Sequence, residues 1–247
     1  MSGTWKTAWI TGASTGIGRE IAVKLARDGV RVAASARSAD RLVELAQTQV
    51  GIVPVPVDVT NRTAVAVAHR RIVETIGTVD LAVLNAGVWH PMAASAYDAV
   101  QVAQSMSVNY LGIANALEPL IPGMIAAGKG HLALVASVAG YRGLPKAAAY
   151  APSKAAVISL AEVLRLELPR HGITVSLINP GFVETPMTAV NEFPMPYIIK
   201  ADDAAERILK GLARNKFEIA FPWQLVMMLK LLRLMPNGLY LRLASRL

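Results

Sequence analysis

The chain has 247 residues, 53% of them hydrophobic and 17% charged, with a mean hydropathy of +0.41. That excludes a disordered protein and suits a single domain with a large core. It has no cysteine, and its four histidines, His69, His90, His131 and His171, form no ligand pair, so disulfides, thiol chemistry and a metal site are not expected. The net charge of +8 is mostly interspersed with acids and shows no aromatic-interleaved basic patch, so nucleic acid is not an expected partner.

In chain order, an apolar strand at 7–10 precedes a helix at 16–28, and a strand at 30–34 precedes a helix at 40–49. The strand at 52–57 is followed by a helix at 62–76, and the strand at 81–84 by a long helix at 97–127. Strands at 132–136 and 174–178 flank a helix at 150–171, and a last helix is expected at 202–214. The strands at 30–34 and 52–57 are almost wholly apolar without alternation, as in parallel strands covered on both faces. Repeated strand–helix alternation therefore predicts one doubly wound α/β sheet with helices on both faces, and ligands beyond the carboxyl ends of its strands. Residues 81–97 and 99–117 carry no charge, but interrupting polar residues such as Asn85, His90 and Asn109 fit buried core better than a membrane span. The chain start shows no basic segment ahead of an apolar one, so a cytoplasmic location is the expectation.

The turn after the first strand reads Thr11-Gly12-Ala13-Ser14-Thr15-Gly16-Ile17-Gly18 and opens a helix. Such glycines permit a tight turn and close approach of backbone to a pyrophosphate, which the free N–H groups of a helix start attract. Farther on, Tyr150 and Lys154 lie four residues apart and so share one helix face. Ser137 stands thirteen residues before Tyr150 at a strand end, and Asn109 lies within the preceding long helix.

With the spacing Gly-x-x-x-Gly-x-Gly and Tyr-x-x-x-Lys, the chain resembles the short-chain dehydrogenase/reductase family over roughly residues 5–220. The resemblance implies a Rossmann-type catalytic domain at 1–220 and a catalytic tetrad of Asn109, Ser137, Tyr150 and Lys154. It implies cofactor contacts from Gly12, Ser14, Thr15, Gly16, Ile17 and Gly18, from Asp58 and Val59 beside the adenine, and from Asn85, Ala86 and Gly87. Tyr150 and Lys154 join them, and so do Pro180, Val183 and Thr185 in Pro180-Gly181-Phe182-Val183-Glu184-Thr185. The second strand is followed by Arg37 where an acid would hold the ribose 2′-hydroxyl of NAD, so NADP(H) is favoured over NAD(H). Thr15 departs from the basic residue that many NADP-dependent members carry in the glycine loop.

The implied reaction interconverts a carbonyl and a secondary alcohol. Hydride addition to a carbonyl carbon leaves an alkoxide, which needs a proton donor and a second donor to polarise the oxygen. Tyr150 and Ser137 would take those roles, and Lys154 would lower the phenol pKa from its usual value near 10. By resemblance Lys154 also holds the nicotinamide ribose and Asn109 keeps a relay water. The alternative is a non-catalytic nucleotide-binding scaffold or redox sensor with the same fold. Val88, Trp89, Tyr141, Leu144, Met187, Phe193, Met195, Tyr197, Ile198 and Ile199 point to a small apolar carbonyl or alcohol substrate, with Arg142 and Lys146 as the cations able to clamp an acidic group. The family's dimers and tetramers imply a homo-oligomer.

Residues 221–247 form a separate apolar, basic extension. Lys230, Arg233, Arg242 and Arg246 give it half of the net charge, with no acid. Two short helices broken at Pro236 and Gly238 are expected there, and three readings stay open: peripheral contact with an anionic membrane, a subunit contact, or a lid over the substrate.

Overall fold

The computed structural model describes residues 5–244. Seven parallel strands form one sheet: β1 (Thr7–Thr11), β2 (Arg31–Ser35), β3 (Ile52–Pro54), β4 (Leu81–Leu84), β5 (Gly130–Val135), β6 (Ile173–Pro180) and β9 (Glu218–Phe221), in the spatial order β3-β2-β1-β4-β5-β6-β9. A separate two-stranded ladder joins β7 (Val183–Glu184) to β8 (Ile199–Lys200). The strand order reverses between β1 and β4, and a crevice opens at such a switch point. Thr11 is level with both Ser35 and Leu84, so the carboxyl ends of β2, β1 and β4 meet at one edge.

Side chains alternate across the sheet because successive Cβ atoms of a strand point to opposite faces. Trp9, Leu84, Leu132 and Leu177 enter one layer, packed under α3 (Arg62–Ile76), α5 (Gly112–Ala127) and α6 (Tyr150–Glu167). Ala8, Ile10, Val83 and Ile178 enter the other, under α1 (Gly16–Arg27), α2 (Ala39–Thr48) and α7 (Ala201–Ala213). Both faces are thus covered, and the doubly wound architecture expected from the strand–helix alternation is present.

Several boundaries differ from expectation. The helix expected at 97–127 starts with a 3₁₀ turn at Ala94–Ala96, continues as α4 (Ala99–Met106), widens into a π turn at Ser107–Leu111 and only then becomes α5. By length and composition, 99–127 is the one helix among the described residues able to cross a membrane. Its buried Ile113, Leu117 and Leu120 pack into the sheet layer instead. Helix α6 stops at Glu167 and yields to a 3₁₀ turn, Leu168–His171. The strand β9 was not expected; it pairs with β6 from Leu177–Glu218 to Pro180–Phe221, so the sheet continues to residue 221.

The extension folds as two helices, α8 (Trp223–Leu234) and α9 (Asn237–Ala244), broken at Pro236 as expected, but Gly238 lies inside α9 and does not break it; Arg246 lies outside the described residues. Leu225, Val226 and Leu229 of α8 bury themselves against the α6 side of the sheet.

Candidate active site

The glycine turn lies at the end of β1, as its spacing requires. Gly12 has a φ of +67°, where a side chain would be strained, and a Cβ there would come within 2.8 Å of the Ala86 Cα. Gly18 supplies close approach: a Cβ on it would meet the Gly12 carbonyl oxygen at 2.4 Å. Asn85 ties this turn to β4, its Nδ2 donating to the Gly12 oxygen at 3.1 Å and its backbone N–H to the Thr11 hydroxyl at 3.0 Å.

These residues form one wall of a cleft of about 420 Å³. Ser14, Thr15, Gly16, Ile17, Arg37, Asp58, Val59, Asn85, Ala86 and Gly87 line it, together with Ser137, Tyr150, Lys154, Pro180, Val183 and Thr185. Gly18 and Asn109 do not line it; Gly18 lies against the Gly12 carbonyl, and Asn109 sits behind Gly87. The exposed Arg37 is joined at the far end by Ser38 and by Arg41, a second exposed cation that sequence reading passed over. Arg41 follows Arg37 by four residues, with the start of α2 between them, and that spacing was the available signal. A backbone hydrogen bond from Thr60 holds the Asp58 carboxyl below the usual carboxylate range, and the Arg37 charge adds to it.

Three of the residues expected as a tetrad, Ser137, Tyr150 and Lys154, line the cleft, and Asn109 is set back from it. Asn109 is fully buried in the π turn, a distortion common at functional sites. Its Oδ1 accepts from the Val88 N–H at 2.8 Å, and its Nδ2 donates to the Val88 carbonyl at 3.1 Å and to the Ser153 hydroxyl at 2.9 Å. Ser153 in turn donates to the Tyr150 carbonyl at 2.7 Å. Sequence reading missed Ser153, because a serine within a helix carries no signal of a partner forty-four residues away.

Lys154 is 3% exposed and donates through Nζ to the Val135 carbonyl at 2.9 Å. Burial brings its pKa down to about 8. Its nitrogen lies 5.6 Å from the Tyr150 ring centre, yet burial pushes the phenol up to about 12, the reverse of the expected lowering, while the Ser137 hydroxyl pulls weakly the other way. The physical reason is desolvation, which disfavours both the phenolate and the ammonium. Ser137 accepts from the Ala139 N–H at 3.1 Å and donates to the Pro180 carbonyl at a long 3.4 Å, a weak bond that leaves its hydroxyl available.

Trp89 packs beside Tyr150. Its ring meets Tyr150 edge-on at 5.0 Å, and its Nε1 donates at 2.8 Å to the Oδ1 of Asn191, on the loop after Thr185. Asn191 was not a sequence candidate either.

The cleft and the converging side chains belong to a chain whose residues 6–193 match the family described as short chain dehydrogenase. The chain is a member of the short-chain dehydrogenase/reductase family. It is thus of an oxidoreductase family, and it is 40% identical, over 99% of its length and 98% of the relative's, to a protein from Myxococcus xanthus named as an oxidoreductase. Its fold is similar to a family member from Burkholderia phymatum solved in complex with NAD, at a TM-score of 0.86 and 26% identity over 94% of each chain. It is also similar to 3-ketoacyl-(acyl-carrier-protein) reductase from Brucella melitensis complexed with NADH, at a TM-score of 0.81 and 27% identity over 87% of this chain and 96% of that one.

Among the residues expected to shape an apolar substrate site, Val88 and Met187 line the cleft. Others are engaged elsewhere. Phe193 packs edge-on against Phe182, Ile199 lies in β8, and the Tyr141 hydroxyl donates to Glu218 of β9. Tyr141 and Leu144 border a second hollow, of about 630 Å³, with Met92. Arg142 is no substrate clamp: it donates to the Leu232, Arg233 and Met235 carbonyls at 2.8, 2.8 and 3.0 Å, satisfying the end of α8.

Proposed function

We propose that the chain is an NADP(H)-dependent reductase of a carbonyl in a small apolar substrate. The observation that carries this reading is that Tyr150, Ser137 and Lys154 line the same cleft as the glycine turn. The glycine turn, with its Cβ-excluding approach to Ala86, fits a pyrophosphate, and Arg37 with Arg41 fits a 2′-phosphate at the far end. Asp58 and Val59 would flank the adenine, and Val183 and Thr185 the nicotinamide. The bound nicotinamide cofactor supplies the hydride. Two structures similar to this chain hold NAD or NADH, so the NADP(H) preference rests on the two arginines.

The protein's own part is positioning and proton transfer. With a pKa of about 12 the Tyr150 phenol stays protonated at neutral pH, which is the form that donates to an alkoxide. Ser137 donates the second hydrogen bond to the substrate oxygen. Lys154, fixed on the Val135 carbonyl, presents its ammonium beneath the phenol. Asn109 holds Val88 and Ser153 in place, so the segment after β4 and the start of α6 keep their separation. Val88 and Met187 give the cleft an apolar lining, and Trp89 packs edge-on against Tyr150.

The test follows NADPH oxidation by absorbance against aldehydes and ketones graded from polar to lipophilic, with Tyr150→Phe alongside. Turnover that rises with lipophilicity and falls at least about a hundredfold in the variant supports the reading. NADPH binding without turnover of any carbonyl would sink it in favour of a non-catalytic scaffold.

A further inference from the structure

Helix α8 is apolar on two sides. Leu225, Val226 and Leu229 form its buried stripe, but Trp223, Met227, Leu231 and Leu234 repeat at the same helical spacing on the outside, between 50% and 82% exposed. Leu239 and Leu243 extend exposed apolar surface onto α9. Large side chains in such number on the surface of a soluble domain mark a docking surface.

The charge on this surface says what docks. Beyond Glu218 the chain contains no acid; Arg233 and Arg242 are exposed among the outward apolar residues, while the half-buried Lys230 pairs with Glu218. On the other face of the sheet, beside α7, Arg207, Lys210, Arg214 and Lys216 border a hollow of about 250 Å³ against β9, with Lys210 paired to Glu206. Glu218 lines that hollow and also accepts from Lys230.

We propose that α8 and α9 form a peripheral docking surface for an anionic lipid bilayer. Apolar side chains would enter the headgroup boundary, with Trp223 at the rim and the cations on lipid phosphates. With twelve and eight residues, the helices are about 18 and 12 Å long, too short to cross a hydrocarbon core of about 30 Å. A second copy fits less well. A two-fold contact would bring together two copies of a surface whose exposed side-chain charges, Arg233 and Arg242, are both positive.

The surface is held firmly to the body. Arg142 joins the ends of α8 and α9, donating also to Asn237 Oδ1 at 2.8 Å and lying 4.0 Å over the Tyr240 ring. The Tyr240 hydroxyl donates to the Gly143 carbonyl on the loop that follows Ser137.

The full chain is to be sedimented with vesicles of phosphatidylcholine alone and of phosphatidylcholine with phosphatidylglycerol as the minor component. The wild type should partition onto the anionic vesicles at least about tenfold more strongly and be released by salt. Leu231→Glu with Leu234→Glu should cut that binding at least about tenfold, with the thermal melt unchanged, and Val50→Glu, at an exposed position on another part of the surface, should not. Tryptophan quenching by brominated lipid in the wild type, lost in Trp223→Phe, reads insertion without relying on the double variant. No partition, equal partition onto both vesicle types, or no quenching overturns the proposal. So does a wild-type dimer that the double substitution splits while vesicles go unbound, which would assign the surface to a second copy.

Discussion

Removing the cations at the far end of the cleft should convert the cofactor preference. Arg37 and Arg41 are both exposed and both line that end. A guanidinium about 4 Å from a phosphate charge gains between about 1 and 4 kcal/mol, depending on the effective dielectric, and exposure places each arginine in the lower half of that range. At about 1–2 kcal/mol each, Arg37→Ala or Arg41→Ala should weaken NADPH roughly 5- to 30-fold, and the pair together about a hundredfold. Asp58 already feels the Arg37 charge, so the single Arg37 variant should sit toward the low end. NADH has no 2′-phosphate to lose and should change by less than about threefold. The assay is the dissociation constant of each nucleotide by fluorescence titration at low and high salt, where screening narrows the NADPH advantage in the wild type alone. Equal losses for NADH and NADPH, or a double variant that still prefers NADPH, would refute the assignment of these arginines to the phosphate.

Three further outcomes follow from the geometry. Ser153→Ala removes the acceptor of Asn109 and the donor to the Tyr150 carbonyl, so kcat should fall about tenfold with NADPH affinity intact, as read in steady-state kinetics. Arg142→Ala strips the end of α8 of its cation and Tyr240 of its partner, a loss of about 2–3 kcal/mol that should lower the melting temperature by roughly 5–10 °C in a thermal scan. His131 is buried on the Ser176 hydroxyl and its pKa is lowered from 6.5 to about 4, chiefly by desolvation. Because the folded protein favours the neutral ring, this contribution is complete above pH 6.5 and is lost as pH falls toward 4, by at most about 3 kcal/mol. Denaturant unfolding across that window should show the slope, and His131→Gln should flatten it.

What could be read from the sequence and what could not divides along the range of the interactions. The glycine turn was legible because Gly12 and Gly18 answer a local steric demand that few other residues meet. The sheet was legible because period and apolarity are local too. Arg41 had a local signal and was passed over. Ser153, Asn191 and Arg142 take their meaning from partners 44, 102 and 90 residues distant, and no spacing rule foretells those. The strand β9 has four residues, one of them Glu218, and becomes a strand only because β6 offers an edge to it. The strongest case is α8, whose helical period was visible but whose inward side was not. With leucine, valine or methionine on both sides, composition could not say which stripe the body would cover. Packing decides it: Leu225, Val226 and Leu229 join the core layer beside α6, and the Arg142 guanidinium fastens the far end by donating to the last carbonyls of α8 and lying over Tyr240 of α9. Once Leu225, Val226 and Leu229 are turned inward, Trp223, Met227 and Leu231 must face out. The exposed apolar face is therefore a consequence of how the extension is fastened, and charge, which the same segment carries in only one sign, limits what can cover it.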